Sequence, residues 1–172
     1  MFCYDGVCIR VVEESDIETI RRMRNDYSTW VNLTDGALID SENQRQWYGH
    51  IMGRDDKKYF VIYNDENTFI GIVRFDEIDQ TNRSIRVGCD ILKELRGKGF
   101  GNKTMNLIKK YCFRYLNVHR IWLAVLATNN IALHLYKKHG FREEGKYREA
   151  IFRDGKYHDY IIMSIIEGEY PR

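Results

Sequence analysis

The segment Arg96-Gly97-Lys98-Gly99-Phe100-Gly101 constrains this chain most, because its three glycines separate two different patterns. Before it, Ser84 to Leu92 reads as a strand; after it, Met105, Ile108, Cys112 and Tyr115 recur at helical spacing. A strand must therefore turn sharply into a long amphipathic helix. Glycines allow that turn with N–H groups pointing inward, and the helix start adds about half a positive charge, which suits a phosphate or pyrophosphate. Two common phosphate motifs do not fit. The dinucleotide fingerprint needs glycine at position 102, which is Asn, and a P-loop needs Ser or Thr after Gly-Lys, where Gly99 stands. The competing reading is a glycine turn that holds nothing.

The other elements follow from periodicity. Val7 to Val12 reads as a strand, and Ser15 with Glu18 forms a capping-box pattern before a helix reaching about Arg24. Asn25 to Asp40 lacks periodicity and is long enough to be a binding loop, with Trp30, Asn32, Thr34 and Asp35 in it. Ser41 with Gln44 opens a second helix. Lys58–Asn64, Phe69–Ile78 and Ser84–Leu92 form a meander, and Arg120–Val125 is a short apolar strand of the kind buried on both faces. Asn130 to His139 is a helix stopped by Gly140, and Arg142–Phe152 with Lys156–Ile166 form a hairpin about Asp154-Gly155. This order predicts an α/β fold, a three-layer α/β/α sandwich around a mixed, mostly antiparallel sheet.

Composition narrows the class. The 172 residues suit a single domain spanning positions 1–172. The formal charge of +2 supplies no basic stripe for nucleic acid. No run approaches the roughly 20 apolar residues of a membrane span, and residues 1–10 lack a signal-peptide pattern, so a cytosolic, cytoplasmic protein is expected. Cys3, Cys8, Cys89 and Cys112 show no zinc spacing and read as reduced, packed side chains, with no metal site indicated.

A second signal lies about 30 residues beyond the glycines, in Asn129, Tyr136, Gly140 and Phe141. With Arg96, Gly99 and Gly101, these positions resemble the GNAT superfamily of acetyl-CoA-dependent N-acetyltransferases. The run Phe152, Gly155, Tyr157 and Met163 is similar to the branch that includes ribosomal-protein N-terminal, spermidine and amino-sugar acetyltransferases. The resemblance implies that the strand before the glycines splays from its neighbour, so that Cys89, Asp90, Ile91 and Leu92 bind the acetyl carbonyl and pantetheine. Arg96, Gly97, Lys98, Gly99, Phe100, Gly101 and Asn102 then hold the pyrophosphate. It also implies that Asn129 caps the fourth helix or contacts pantetheine, and that Tyr136 protonates the departing thiolate. The competing reading of Tyr136 is a core tyrosine.

An amine that is ammonium at pH 7 must lose a proton before it attacks a thioester. Several members of the family use a glutamate two residues before the position of Gly88; this chain has Arg86, which cannot act as a base. Glu77, Asp35, His158, Asp159 and an ordered water are the substitutes; water assisted by Glu77 or Asp159 is preferred among them, and a solvated Glu77 and a turn-side Asp159 are the stronger competing readings. Asp35, Asp40 and Glu42 are placed to attract a cationic amine, with simple solvation the competing reading, and Trp30, Trp47 and Tyr157 to stack on a sugar or nucleotide, with core packing the favoured reading of Trp47. The expected function is direct acetyl transfer from acetyl-CoA to a primary amine, on an amino sugar, sugar nucleotide or polyamine. The alternatives are a protein N-terminus as acceptor, or an acyl-CoA-binding module without turnover. The C-terminal hairpin also permits a homodimer.

Overall fold

The computed structural model describes residues 1–34 and 36–171. One eight-stranded sheet organises them. Its strands are β1 (Phe2–Tyr4), β2 (Val7–Val11), β3 (Lys58–Asn64), β4 (Phe69–Asp79), β5 (Ser84–Ile91), β6 (Arg120–Leu126), β7 (Arg142–Arg153) and β8 (Lys156–Ile166). Their spatial order is β1-β2-β3-β4-β5-β6-β8-β7, and every pairing is antiparallel except β5 with β6. The helices are α1 (Ile17–Asn25), α2 (Tyr27–Trp30), α3 (Ser41–Ile51), α4 (Phe100–Arg114) and α5 (Asn130–Lys138).

Strand alternation explains why both faces of the sheet are covered. On β3, Phe60 and Ile62 join the larger core with Met105, Ile108 and Cys112 of α4, and the partly buried Ala132, Leu133 and Tyr136 of α5 pack against it. Tyr59 and Val61 point the other way, to Ile20 and Met23 of α1, where Trp47 and Ile51 of α3 pack. Each fully buried side chain of this size contributes about 2 kcal/mol. The three-layer α/β/α arrangement expected from element order is the one observed.

Several local expectations need correction. Asp5-Gly6 turns a hairpin that pairs β1 with β2, with both residues at positive φ, 58° and 74°. On that hairpin Cys3 and Cys8 are register partners and form a disulfide, so not all four cysteines are reduced, and cysteine usage no longer bears on compartment. Ser15 does not cap α1; it lies in a 3-10 turn, Glu14–Asp16, whose Asp16 carboxylate accepts from Glu13 N–H and from Arg10. Asp40, not Ser41, caps α3, accepting from Asn43 N–H at 2.8 Å. The presumed loop holds α2, capped by Asp26. Among the described residues, no helix is long and apolar enough to cross a membrane.

Candidate active site

The parallel pairing of β5 with β6 covers only Ser84–Arg86 against Arg120–Trp122. Beyond it β5 stays paired to β4 as far as Ile91, and β6 stays paired to β8 as far as Leu126. The strands therefore diverge, leaving two inner edges that face a common opening. That opening belongs to a cavity of about 460 Å³, lined by Gly88, Cys89 and Asp90 on one side and by Ala124, Val125 and Leu126 on the other.

At the far end of β5 the glycine loop leads into α4. Gly97 and Gly99 adopt left-handed backbone, φ 76° and 87°, with no atom within 4 Å of where a Cβ would stand. Gly99 is the N-cap of α4, and no side chain caps that helix or places a carboxylate in its first turn. The first N–H groups of a fifteen-residue helix are thus left for an anion, which fits the pyrophosphate of a coenzyme. Gly101 faces Leu135 of α5, where a Cβ would stand at van der Waals distance, 3.4 Å from Cδ2.

Side chains of one parity on β4 and β5 form the cavity floor. Arg74 lies opposite Gly88, and Asp76 opposite Arg86. The Arg74 guanidinium binds Asp90 at 2.9 Å, and Gly88 makes room for it: a Cβ there would lie 2.8 Å from Nη2. Arg86 binds Glu77 at 3.0 Å, and Tyr59 donates to Asp76 at 2.7 Å. Thr29 of α2 and Gln44 of α3, both buried, close the cavity from above.

Tyr136 enters from α5 and lines the same cavity. Burial, and then the nearby Cys89 and Asp90, push its phenol pKa well above the usual value, while Arg74 opposes them. Burial pushes the Cys89 thiol up to about 12, so it stays protonated. Tyr160, also buried in the lining, is raised by the same cause.

Of the residues picked from sequence, the structure brings Tyr136, Cys89, Asp90, Glu77, Asn129 and Trp47 to the cavity, with Asn32 and Thr34 of the expected binding loop. Asn129 caps α5, accepting from Ala132 N–H at 3.1 Å. Ile91 and Leu92 pack beside the two cores, and Phe100 packs against the larger one. Arg96 turns its guanidinium away from the glycine loop and donates to Ile91 O, Ser28 O and Oγ, and Thr29 Oγ1. Asn102 uses its side-chain oxygen on His139 at 3.1 Å, and Lys98 is exposed.

The remaining choices lie elsewhere. Asp159 is outside the lining; Lys146 first, then Glu149 N–H, hold its carboxyl below the usual range. Trp30 is also outside it, donating to Gly36 O at 2.7 Å beneath Arg153, and Tyr157 stands exposed against Phe152. Asp35 lies outside the described residues. Sequence reasoning missed Arg74, Asp76 and Tyr160; the available signal was Arg74, which breaks the apolar run from Phe69 to Phe75, with Asp76 at the same parity.

A split parallel pair, an uncapped glycine-fronted helix and a phenol in the gap define an acyl-coenzyme-dependent transferase. Residues 17–141 match the acetyltransferase (GNAT) family, and the chain belongs to that family; it is an N-acetyltransferase. It is 30% identical over 162 residues to a spermidine N(1)-acetyltransferase of Vibrio cholerae, covering 94% of each chain. The crystal structure of the Vibrio cholerae spermidine N-acetyltransferase with CoA and spermine superposes with a TM-score of 0.91 at 29% identity, over 97% of this chain and 99% of that one. A dodecameric structure of the Vibrio cholerae enzyme is similar at a TM-score of 0.82 and 31% identity, over 97% of both chains.

Proposed function

We propose that the chain transfers acetyl from acetyl-CoA directly to the primary amine of a small metabolite, in the opening between β5 and β6. One arrangement carries this reading: the uncapped start of α4 follows, across a 3-10 turn and the glycine loop, the strand that lines the cavity together with Tyr136. Bound acetyl-CoA supplies the acetyl group as an activated thioester. Backbone N–H groups from Gly97 to Asn102 hold its pyrophosphate, with Lys98 adding charge. The β5 edge from Cys89 to Ile91 aligns the pantetheine arm and donates to the acetyl oxygen, where preorganised donors act most strongly; Leu92, expected to share this task, spends its N–H on Ile70 O and its carbonyl on Leu95 N–H.

Tyr136 keeps its hydrogen at neutral pH because burial raises its pKa. Complete transfer to a thiolate whose conjugate acid lies near ~8.5 is therefore uphill. Its contribution is a hydrogen bond that strengthens as charge grows on sulfur, with the proton following as the thiol leaves. Glu77, at the cavity rim, takes the amine proton through an ordered water. The protonated Cys89 is no nucleophile, which supports direct transfer without an acetyl-enzyme. The cavity volume falls in the range of small-molecule sites, and the relatives named for spermidine also support a small amine.

The last hairpin supports self-association. Residues 142–150 of β7 are all exposed, and Tyr147, Phe152 and Tyr157 add aromatic surface to it. A dodecameric neighbour makes a second copy a reasonable occupant of that surface.

The test is to incubate the protein with acetyl-CoA and a panel of amines, following free thiol, while calorimetry follows coenzyme A binding. Thiol release that requires an amine is expected. Arg86 favours a second reading, a coenzyme-binding module without turnover, and coenzyme binding with no thiol release from any amine would establish it instead.

A further inference from the structure

Resting on the acetyl-transfer reading, we infer that the acceptor amine carries an anionic group, a carboxylate or a phosphate, and that polycations are poor acceptors. The charges of the cavity floor carry this. Its three described carboxylates each have a partner: Asp90 binds Arg74 at 2.9 Å, Glu77 binds Arg86 at 3.0 Å, and Asp76 accepts from Tyr59 at 2.7 Å with Lys57 at 3.9 Å. A second ammonium on the acceptor has to displace one of these cations or lie against it, and like charges in a partly buried site repel strongly.

An anion finds the opposite situation. The Arg74 side chain keeps 26% of its exposure while holding Asp90, although its unpartnered Nε–H is buried against Gly88 and faces away from a ligand. Arg86 offers five N–H donors, of which Glu77 accepts from Nη1 and the Tyr160 hydroxyl takes a further hydrogen bond. Arg74 pairs with Gly88, and Arg86 stands two residues before Gly88 on the same strand face. The two residues are thus diagonal neighbours, a spacing of about 7–8 Å between backbone positions, within reach of each other for long side chains. Glycine at position 88 is what seats the Arg74 guanidinium, since any side chain would strike it. Planar guanidinium groups recognise carboxylate and phosphate alike through paired donors.

Matched acceptor pairs test the inference by thiol release from acetyl-CoA. Ornithine adds a carboxylate to the putrescine skeleton, and glucosamine 6-phosphate adds a phosphate to glucosamine; spermidine is the polycation. At least one anionic member should exceed its partner in kcat/KM by about tenfold or more, and whichever pair responds tells carboxylate from phosphate. Arg86→Gln, and separately Arg74→Gln, should narrow that ratio mainly through KM. Neither anionic member exceeding its partner, or spermidine equal to or better than both anionic amines, overturns the inference and leaves acetyl transfer standing. Ratios kept in both variants also overturn it. Silence from every amine, with coenzyme A still bound, removes the acetyl-transfer reading and this inference with it.

Discussion

Gly99 has φ +87° and open space where a Cβ would stand, so a side chain there is strained and fills the place expected for a phosphate. Gly99→Val should therefore abolish coenzyme A binding in calorimetry while the fold survives; retained affinity removes the cradle assignment. Glycines of this kind were legible by local spacing, and Tyr136 was legible only through the family resemblance, which led to a residue that lines the cavity. Arg74, Asp76 and Tyr160 were not, because strand alternation separates two faces without saying which part of a face lies open beneath its helices. Trp30 misled for a related reason: an aromatic in a polar loop suggests a ligand, yet its indole N–H is taken by Gly36 O and its ring by Arg153.

Between elements, close approach and buried polar links decide the geometry. A Cβ on Gly71 would lie 2.0 Å from Asp90 O on the facing backbone, so β4 and β5 cannot pair there around any side chain. Gly71→Ala should lose about 3 kcal/mol in denaturant unfolding and, by moving Asp90, much of the activity. A stability change within error contradicts that close approach. Helices α4 and α5 are joined by Asn102 with His139, and by Lys109, which donates to His139 O at 3.0 Å. Burial, and then Lys109 and Lys138, lower the His139 pKa from 6.5 to about 4. The unfolded chain thus takes up this proton first as the pH falls. The stabilisation is full above 6.5 and is lost down to about 4, worth about 3 kcal/mol at most. Melting curves across that interval should shift down for the native chain and less for His139→Gln; parallel shifts contradict this. Boundaries here were legible only in part. Asp5-Gly6 is a strong hairpin signal, but a three-residue β1 has too little alternation to be seen, and the Cys3–Cys8 bridge depends on the register that the hairpin creates.

For the whole molecule, element order alone led to the three-layer sandwich, since the alternation of strands and helices leaves few ways to cover both sheet faces. A net charge of +2 does not oppose an anionic coenzyme, because the positive potential is supplied locally at the start of α4. Assembly is a property at this scale. If β7 is covered by another copy, light scattering should give a multiple of 20.6 kDa, and Tyr147→Lys with Phe152→Lys should lower it; a monomer at micromolar concentration contradicts the proposal. The central claim is that transfer occurs in the gap between β5 and β6, beside Tyr136. Its most direct test is the turnover number for thiol release by Tyr136→Phe, with coenzyme A affinity measured on the same preparation. We predict a fall of about tenfold or more in kcat with affinity nearly unchanged, and an unchanged kcat would contradict the account.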